Sequence, residues 1–202
     1  MTPAQALLAR IAEFFSGPGR NGDPGAAAVL DRAVATLSFA TPNSIEPRTL
    51  PAADLLSDAL PACPVPLALA IAAAAPLFRW RQNPNYNSGS MGAAFMAGYG
   101  YVEFVGPKEA LFHATDIRAG LLVLGPGLHY PPHAHPAEEV YHPLTAGGEW
   151  RRGDEPWRNV PAGSAIHHPP MMVHETRAGA GTLLALYCWI GETGTEARLT
   201  PA

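Results

Sequence analysis

The chain has 202 residues, 15% of them charged, and a formal net charge of −4 at pH 7. This length suits one domain with a substantial core, or one domain with a sizeable extension. The sequence contains no run rich in Lys and Arg, which argues against a nucleic-acid-binding surface. The longest apolar stretch, residues 65–77, contains two prolines and is shorter than the roughly 20 residues that a membrane-spanning helix needs.

The first part of the chain carries helix signals. Thr2 and Pro3 suit an N-cap and a first helical position, and the apolar stripe after them predicts a helix that ends before Gly17. The same start signal at Asp23 predicts a second helix that extends to about Phe39. Further helical segments are predicted at residues 53–60, 67–75 and 91–101.

From Val102 onward the pattern changes to short strands that are separated by turn residues. The predicted strands are residues 102–105, 121–124, 139–144, 149–151, 165–168 and 183–190. Short strands at this spacing are typical of an antiparallel sandwich or barrel. The sequence therefore predicts a mainly β protein, with a helical N-terminal extension over residues 1–100 and a β-barrel domain over residues 101–202.

The segment from Gly127 to Tyr141 contains candidate metal ligands. His133 and His135 are two residues apart, so on an extended strand they share one face. If a turn follows, Glu139 and Tyr141 face the same interior from the next strand. Two imidazoles and a carboxylate suit a transition metal, and a fourth ligand is then expected further along the chain. His174 is the candidate.

The spacing of these residues resembles the two motifs of the cupin superfamily, which are small antiparallel, jelly-roll-like β-barrels with a central metal. The first motif is matched by Gly127, five residues, His133-x-His135, three residues and Glu139; the second is matched by Gly163, five residues, Pro169 and then His174. Ala146 and Met171 stand where the motifs have glycine. Those positions shape turns, so the departures concern local geometry rather than the ligands.

A closer resemblance is to the cupin-type dimethylsulfoniopropionate (DMSP) lyases. Its basis is Tyr130, His133, His135, Glu139, Tyr141, His174 and Trp189 in this spacing, together with residues 80–86 and 99–106. The most specific element is Tyr141, because generic cupins do not require a tyrosine there. The resemblance covers most of the chain after about residue 65.

This resemblance implies a carbon–sulfur lyase that cleaves DMSP to dimethyl sulfide and acrylate by β-elimination. It implies that His133, His135, Glu139 and His174 hold one divalent metal ion, which would act as a Lewis acid toward the substrate carboxylate. Zn, Fe, Mn, Ni and Co all suit this ligand set.

The resemblance also gives roles to the aromatic residues. Tyr141 would be the base, provided that the cation lowers the pKa of its phenol from about 10. Aromatic faces suit a sulfonium, which has no hydrogen-bond donor. Tyr130, Trp189 and Tyr99, with Tyr86 as a further candidate, are the residues expected to contact it.

The remaining expectations are broader. An iron-dependent dioxygenase, an isomerase and a non-enzymatic metabolite-binding cupin remain alternatives. His129, His142, His167 and His168 lack the motif spacing and are not expected to be ligands, and a role in supporting the ligands is left open for one of them. Two distant cysteines in apolar surroundings favour buried thiols, and the first residues lack a signal-peptide pattern, so a cytoplasmic protein is expected. Cupins often dimerise, which raises a homodimer as a further expectation.

Overall fold

The computed structural model describes residues 1–200. Its α-helices all precede the first long strand and are joined by loops and single 3-10 turns: α1 (Pro3–Ser16), α2 (Ala26–Leu37), α3 (Leu55–Ala59), α4 (Val65–Ala74), α5 (Ser88–Met91) and α6 (Ala93–Gly98). α1 begins as predicted, because the Thr2 hydroxyl accepts the Gln5 amide while the Gln5 side chain accepts the Thr2 amide. α2 begins three residues later than Asp23, because that carboxylate binds two arginines of the barrel and does not cap the helix.

The strands are β1 (Thr41–Pro42), β2 (Tyr99–Gly106), β3 (Phe112–His113), β4 (Ile117–Leu124), β5 (His129–Ala134), β6 (Glu138–Pro143), β7 (Glu149–Arg152), β8 (Arg158–Asn159), β9 (Ile166–His168), β10 (His174–Arg177), β11 (Leu183–Ile190) and β12 (Arg198–Leu199). β11 has the bounds predicted from sequence. The prediction of helix at Tyr99–Tyr101 is wrong, because these residues pair with Leu124 and Leu122 of β4. No strand is predicted at β10, whose His-Glu-Thr-Arg sequence lacks the apolar alternation of a strand.

Two sheets form the barrel. One has seven strands in the order β1-β3-β2-β4-β11-β6-β9, and the other has five in the order β12-β5-β10-β7-β8. Neighbouring strands are antiparallel, except for the parallel pair β2 and β3. The predicted antiparallel barrel with N-terminal helices is confirmed.

β11 separates two apolar cores. Leu184, Leu186 and Cys188 belong to a cluster that also contains residues of the helices, whereas Tyr187 and Trp189 belong to a second cluster inside the barrel. Successive side chains of a strand point to opposite faces, so one strand serves both cores. Burial on both faces explains why β11 is apolar throughout its length.

The helices cover the outer face of the seven-stranded sheet. α2 packs against β6 and β11, and α1 packs against α2 and α4. Helical and barrel residues therefore share one core. The division into residues 1–100 and 101–202 stays a prediction. Cys63 and Cys188 are buried and free, as the sequence predicts. Within residues 1–200, no helix combines the length and apolar character needed to cross a membrane.

Candidate active site

Three of the predicted ligands meet inside the barrel. Each of His135, Glu139 and His174 offers one ligand atom within 4.8 Å of the other two. Oε2 of Glu139 lies 3.0 Å from Nε2 of His135 and 3.2 Å from Nε2 of His174. All three side chains are at most 2% exposed. Glu139 belongs to the seven-stranded sheet and His174 to the five-stranded sheet, so the site joins the two layers.

His133, the fourth predicted ligand, lies beside this group. It pairs with His174 across β5 and β10, and the two ring centroids are 4.2 Å apart. Its ring stacks on Tyr130 at 3.9 Å with an interplanar angle of 9°. Burial, followed by the charge of His174, lowers the pKa of His133 well below its ordinary value, so the ring is neutral at neutral pH.

Each of the three histidines directs one ring nitrogen to a backbone carbonyl. Nδ1 of His133, His135 and His174 lies 2.8, 3.0 and 2.9 Å from the carbonyl oxygens of residues 131, 137 and 172. A carbonyl only accepts, so each Nδ1 carries the proton, and in the neutral ring Nε2 is an acceptor. For His135 and His174, Nε2 faces a carboxylate oxygen. Two imidazole nitrogens that face one carboxylate oxygen in a buried site require a positive charge between them, either a proton or a cation, so these residues fit a divalent metal ion.

Glu139 is held on both oxygens. Burial by itself would raise its pKa, but the neighbouring imidazoles, His135 first and then His168 and His174, lower the pKa well below its usual value when they carry protons toward the carboxylate. The Trp189 indole donates to Oε1 over 2.5 Å, and its ring stacks on His135 at 3.9 Å. Trp189, which the sequence places in the substrate pocket, therefore contacts two of the candidate ligands.

A small cavity lies next to this cluster. It measures ≈ 40 Å³ and is lined by six aromatic side chains, Tyr99, Tyr101, Tyr130, Tyr141, Tyr187 and Trp189, with Glu103, Arg118 and Glu196 among its charged lining residues. Trp189 and Tyr130 form part of this wall and also contact Glu139 and His133. The predicted base and the three predicted substrate contacts thus line one space. Tyr86 hydrogen-bonds to Tyr130 over 3.1 Å.

Tyr141 lies between the cavity and the ligand cluster. Its ring centroid is 6.4 Å from that of His174 and 5.9 Å from that of His168. Burial raises the pKa of the Tyr141 phenol well above its ordinary value, and the negative charge of Glu139 raises it further. The protein atoms by themselves therefore keep this phenol protonated at neutral pH.

The family model for DMSP lyases matches residues 26–185 of the chain. The chain belongs to the DMSP lyase family. It is 29% identical over 163 residues to the dimethylsulfoniopropionate lyase DddQ of Ruegeria pomeroyi. The aligned region covers 79% of this chain and 80% of the relative.

Two solved structures have the same fold over nearly the whole chain. The crystal structure of DMSP lyase DddQ from Ruegeria pomeroyi DSS-3 is 27% identical, with a TM-score of 0.81 and coverage of 98% of this chain and 96% of that one. A chain from the crystal structures of the DMSP lyases RdDddP and RnDddQII gives a TM-score of 0.82 at 23% identity and 98% coverage of both chains. The shared fold of this DMSP lyase family therefore includes the helices as well as the barrel.

Four of the histidines that lack motif spacing have different environments in this family member. Three bond to groups away from the ligand cluster: His129 to Glu175, His142 to the Gly19 carbonyl and His167 to Glu138. The fourth, His168, is fully buried, and its Nδ1 lies 3.3 Å from Oε2 of Glu139. Sequence reasoning missed this contact. A signal for it exists, since His168 stands two residues after the apolar Ile166 in a predicted strand and so shares its inward face.

Tyr101 and Tyr187 were also missed as lining residues. Each lies two residues from a predicted substrate contact on the same strand, Tyr101 from Tyr99 and Tyr187 from Trp189. Alternation along a strand therefore places each pair on one face. The same rule that places Glu139 and Tyr141 together predicts these two positions.

Two turns show how the chain accommodates its departures from the cupin motifs. Met171 has φ 60, the left-handed conformation that favours glycine, and its amide donates to the carbonyl of His135 over 2.9 Å. Next to Ala146, Gly147 has φ 85, so a glycine one residue further along provides this turn.

Proposed function

We propose that this protein is a metal-dependent lyase that cleaves DMSP to dimethyl sulfide and acrylate by β-elimination. The observation that carries the proposal is the family match over residues 26–185, which includes the convergent ligands and four of the six aromatic residues that line the cavity beside them. We assign one divalent ion to His133, His135, Glu139 and His174. When bound, such an ion supplies Lewis-acid stabilisation of the charge that develops on the substrate carboxylate.

We assign proton removal to Tyr141. Its phenolate oxygen takes a proton from the carbon next to the carboxylate, and the electron pair of that C–H bond forms the double bond of acrylate. The C–S bond breaks, and its electron pair leaves on sulfur as dimethyl sulfide. Because burial and Glu139 raise the pKa of Tyr141, this role requires a compensating positive charge at the ligand cluster.

We assign the sulfonium end to the aromatic wall of the cavity. A cation is attracted to the faces of Tyr130, Tyr99 and Trp189. A sulfonium has no hydrogen-bond donor, so it needs no hydrogen-bond acceptor from these rings. The cavity of ≈ 40 Å³ holds only a few water molecules.

The test is the release of dimethyl sulfide into the headspace over purified protein and DMSP. We expect gas and acrylate in equal amounts, loss of both after treatment with a chelator, and recovery on adding back Zn, Fe, Mn, Ni or Co. The matched variant is Glu139→Gln, which keeps the volume of this ligand's side chain and removes its charge. No gas with any of these ions would refute the lyase assignment, and oxygen uptake with added Fe(II) would point to a dioxygenase. A cytoplasmic location and a homodimer remain predictions.

A further inference from the structure

We propose that His168 is a positioning residue for the candidate metal centre: its Nδ1–H hydrogen bond fixes the Glu139 carboxylate, while its ring supports His174. The inference rests on the metal centre of the proposed function. It assigns a role to a histidine at a position that neither motif specifies.

The first argument is the hydrogen-bond geometry. Glu139 and His168 face each other across β6 and β9, and Nδ1 of His168 lies 3.3 Å from Oε2. A carboxylate only accepts, so Nδ1 is the nitrogen of the neutral ring that carries the proton. Trp189 donates to the other oxygen, Oε1. The two ring N–H groups together fix the plane of the carboxylate.

The second argument is the contrast with the candidate ligands. Each of those histidines directs Nδ1–H to a backbone carbonyl. In His135 and His174 this leaves Nε2 as an acceptor that faces Glu139. His168 has the opposite arrangement, with its donor toward the carboxylate. Its Nε2 is buried and has no hydrogen-bond partner among residues 1–200. All four rings carry the proton on Nδ1, so the difference is one of ring orientation. This orientation suits a residue that positions a ligand, and outer partners of this kind tune metal affinity.

The third argument is the contact with the other sheet. The rings of His168 and His174 stack with their centroids 4.0 Å apart and their planes 14° from parallel. His168 therefore touches one candidate ligand from each sheet. A side chain in this position limits movement of Glu139 and His174 relative to each other.

The segment between α1 and α2 holds the strand that carries His168. β9 is the last strand of its sheet and pairs only with β6 among the described strands. On its free side, the carbonyl of Asn21 accepts the Ala165 amide over 2.5 Å, and the carboxylate of Asp23 accepts the His167 amide over 3.1 Å. Gly22 forms a β-bridge with Ala165. The φ of Gly22 is 131, and a Cβ on this residue would lie 2.2 Å from the Ala165 carbonyl oxygen. The segment between α1 and α2 thus covers a sheet edge that would otherwise be exposed, and it fixes the backbone next to His168.

The experiment measures Zn²⁺ affinity by competition with a chromogenic chelator. His168→Leu removes the donor, His168→Asn places an amide N–H near the position of Nδ1, and His168→Gln places it further out. We expect His168→Leu and His168→Gln to bind Zn²⁺ about 10–100-fold more weakly than the wild type. His168→Asn should stay close to the wild type.

The matched control is His142→Leu. His142 is also a buried histidine, but it lies on the outer face of β6 and bonds to the Gly19 carbonyl, so its loss should leave Zn²⁺ affinity unchanged. Wild-type affinity in His168→Leu, or an asparagine variant as weak as the leucine variant, would overturn the proposal. If His168→Leu does not fold, equal affinities in the asparagine and glutamine variants would overturn it. A wild type that binds none of Zn, Fe, Mn, Ni and Co would instead refute the metal centre itself.

Discussion

Replacing Trp189 with phenylalanine removes one hydrogen bond from the candidate metal centre and keeps an aromatic ring in place. The indole N–H donates to Oε1 of Glu139 over 2.5 Å, and this carboxylate is fully buried. A phenylalanine ring retains a face that can stack on His135. The variant therefore separates the hydrogen bond from the packing.

The size of the effect follows from the charge of the acceptor. A hydrogen bond to a charged group contributes about 1.5–3 kcal/mol, and water cannot replace the lost donor in a buried site. Each 1.4 kcal/mol changes an equilibrium constant by about tenfold. If this energy supports the orientation in which Glu139 binds a metal, Trp189→Phe should weaken Zn²⁺ binding by about 10–100-fold, the range found for partners of metal ligands.

The assay is Zn²⁺ competition with a chelator, together with KM for DMSP in metal-saturated protein. The matched control is Trp150→Phe, because the Trp150 indole N–H is also buried in the barrel but has no hydrogen-bond partner among the described residues. Unchanged Zn²⁺ affinity in Trp189→Phe, with a raised KM, would refute this reasoning. It would show that Trp189 acts on the substrate only.

Three further predictions concern the base, the N-terminal segment and a strained turn. Tyr141→Phe should retain metal and lower the rate of dimethyl sulfide release by at least about 10²–10⁴-fold, measured in the headspace, and unchanged turnover would exclude Tyr141 as the base. Asp23→Asn should lower stability by about 1–2 kcal/mol and Tm by about 2–8 °C in a thermal melt. Burial would raise the pKa of Asp23, but Arg158, the His167 amide and Arg152 lower it, so this stabilisation is present above the ordinary value of 3.8 and is lost as the pH falls through the folded value. The Tm difference between wild type and variant should therefore narrow below pH 3.8, and a constant difference would contradict the ion-pair explanation. Met171→Gly should raise Tm by about 2–4 °C, because it relieves about 1 kcal/mol of strain at φ 60, and a lower Tm would show that the exposed methionine side chain is stabilising.

Local sequence patterns determined much of this protein. The Thr2 capping box sets the start of α1, and the turn residues on both sides of residues 183–190 delimit β11. The spacing of histidine and glutamate in two motifs identified the candidate ligands, and the resemblance that includes Tyr141 led to the family. These features depend on residues a few positions apart, so they can be recognised without the fold.

Only the tertiary structure decided which residues support those ligands. β11 is apolar on both faces, so its sequence does not show that Leu186 and Cys188 pack on helices while Tyr187 and Trp189 line the cavity. The bond from Trp189 to Glu139 spans 50 positions. His168 reaches the same carboxylate because two strands pair in one register, and the segment between α1 and α2 holds that register from outside the barrel. Such contacts depend on which strands are neighbours, and hydrophobic periodicity along one strand contains no information about the strand beside it.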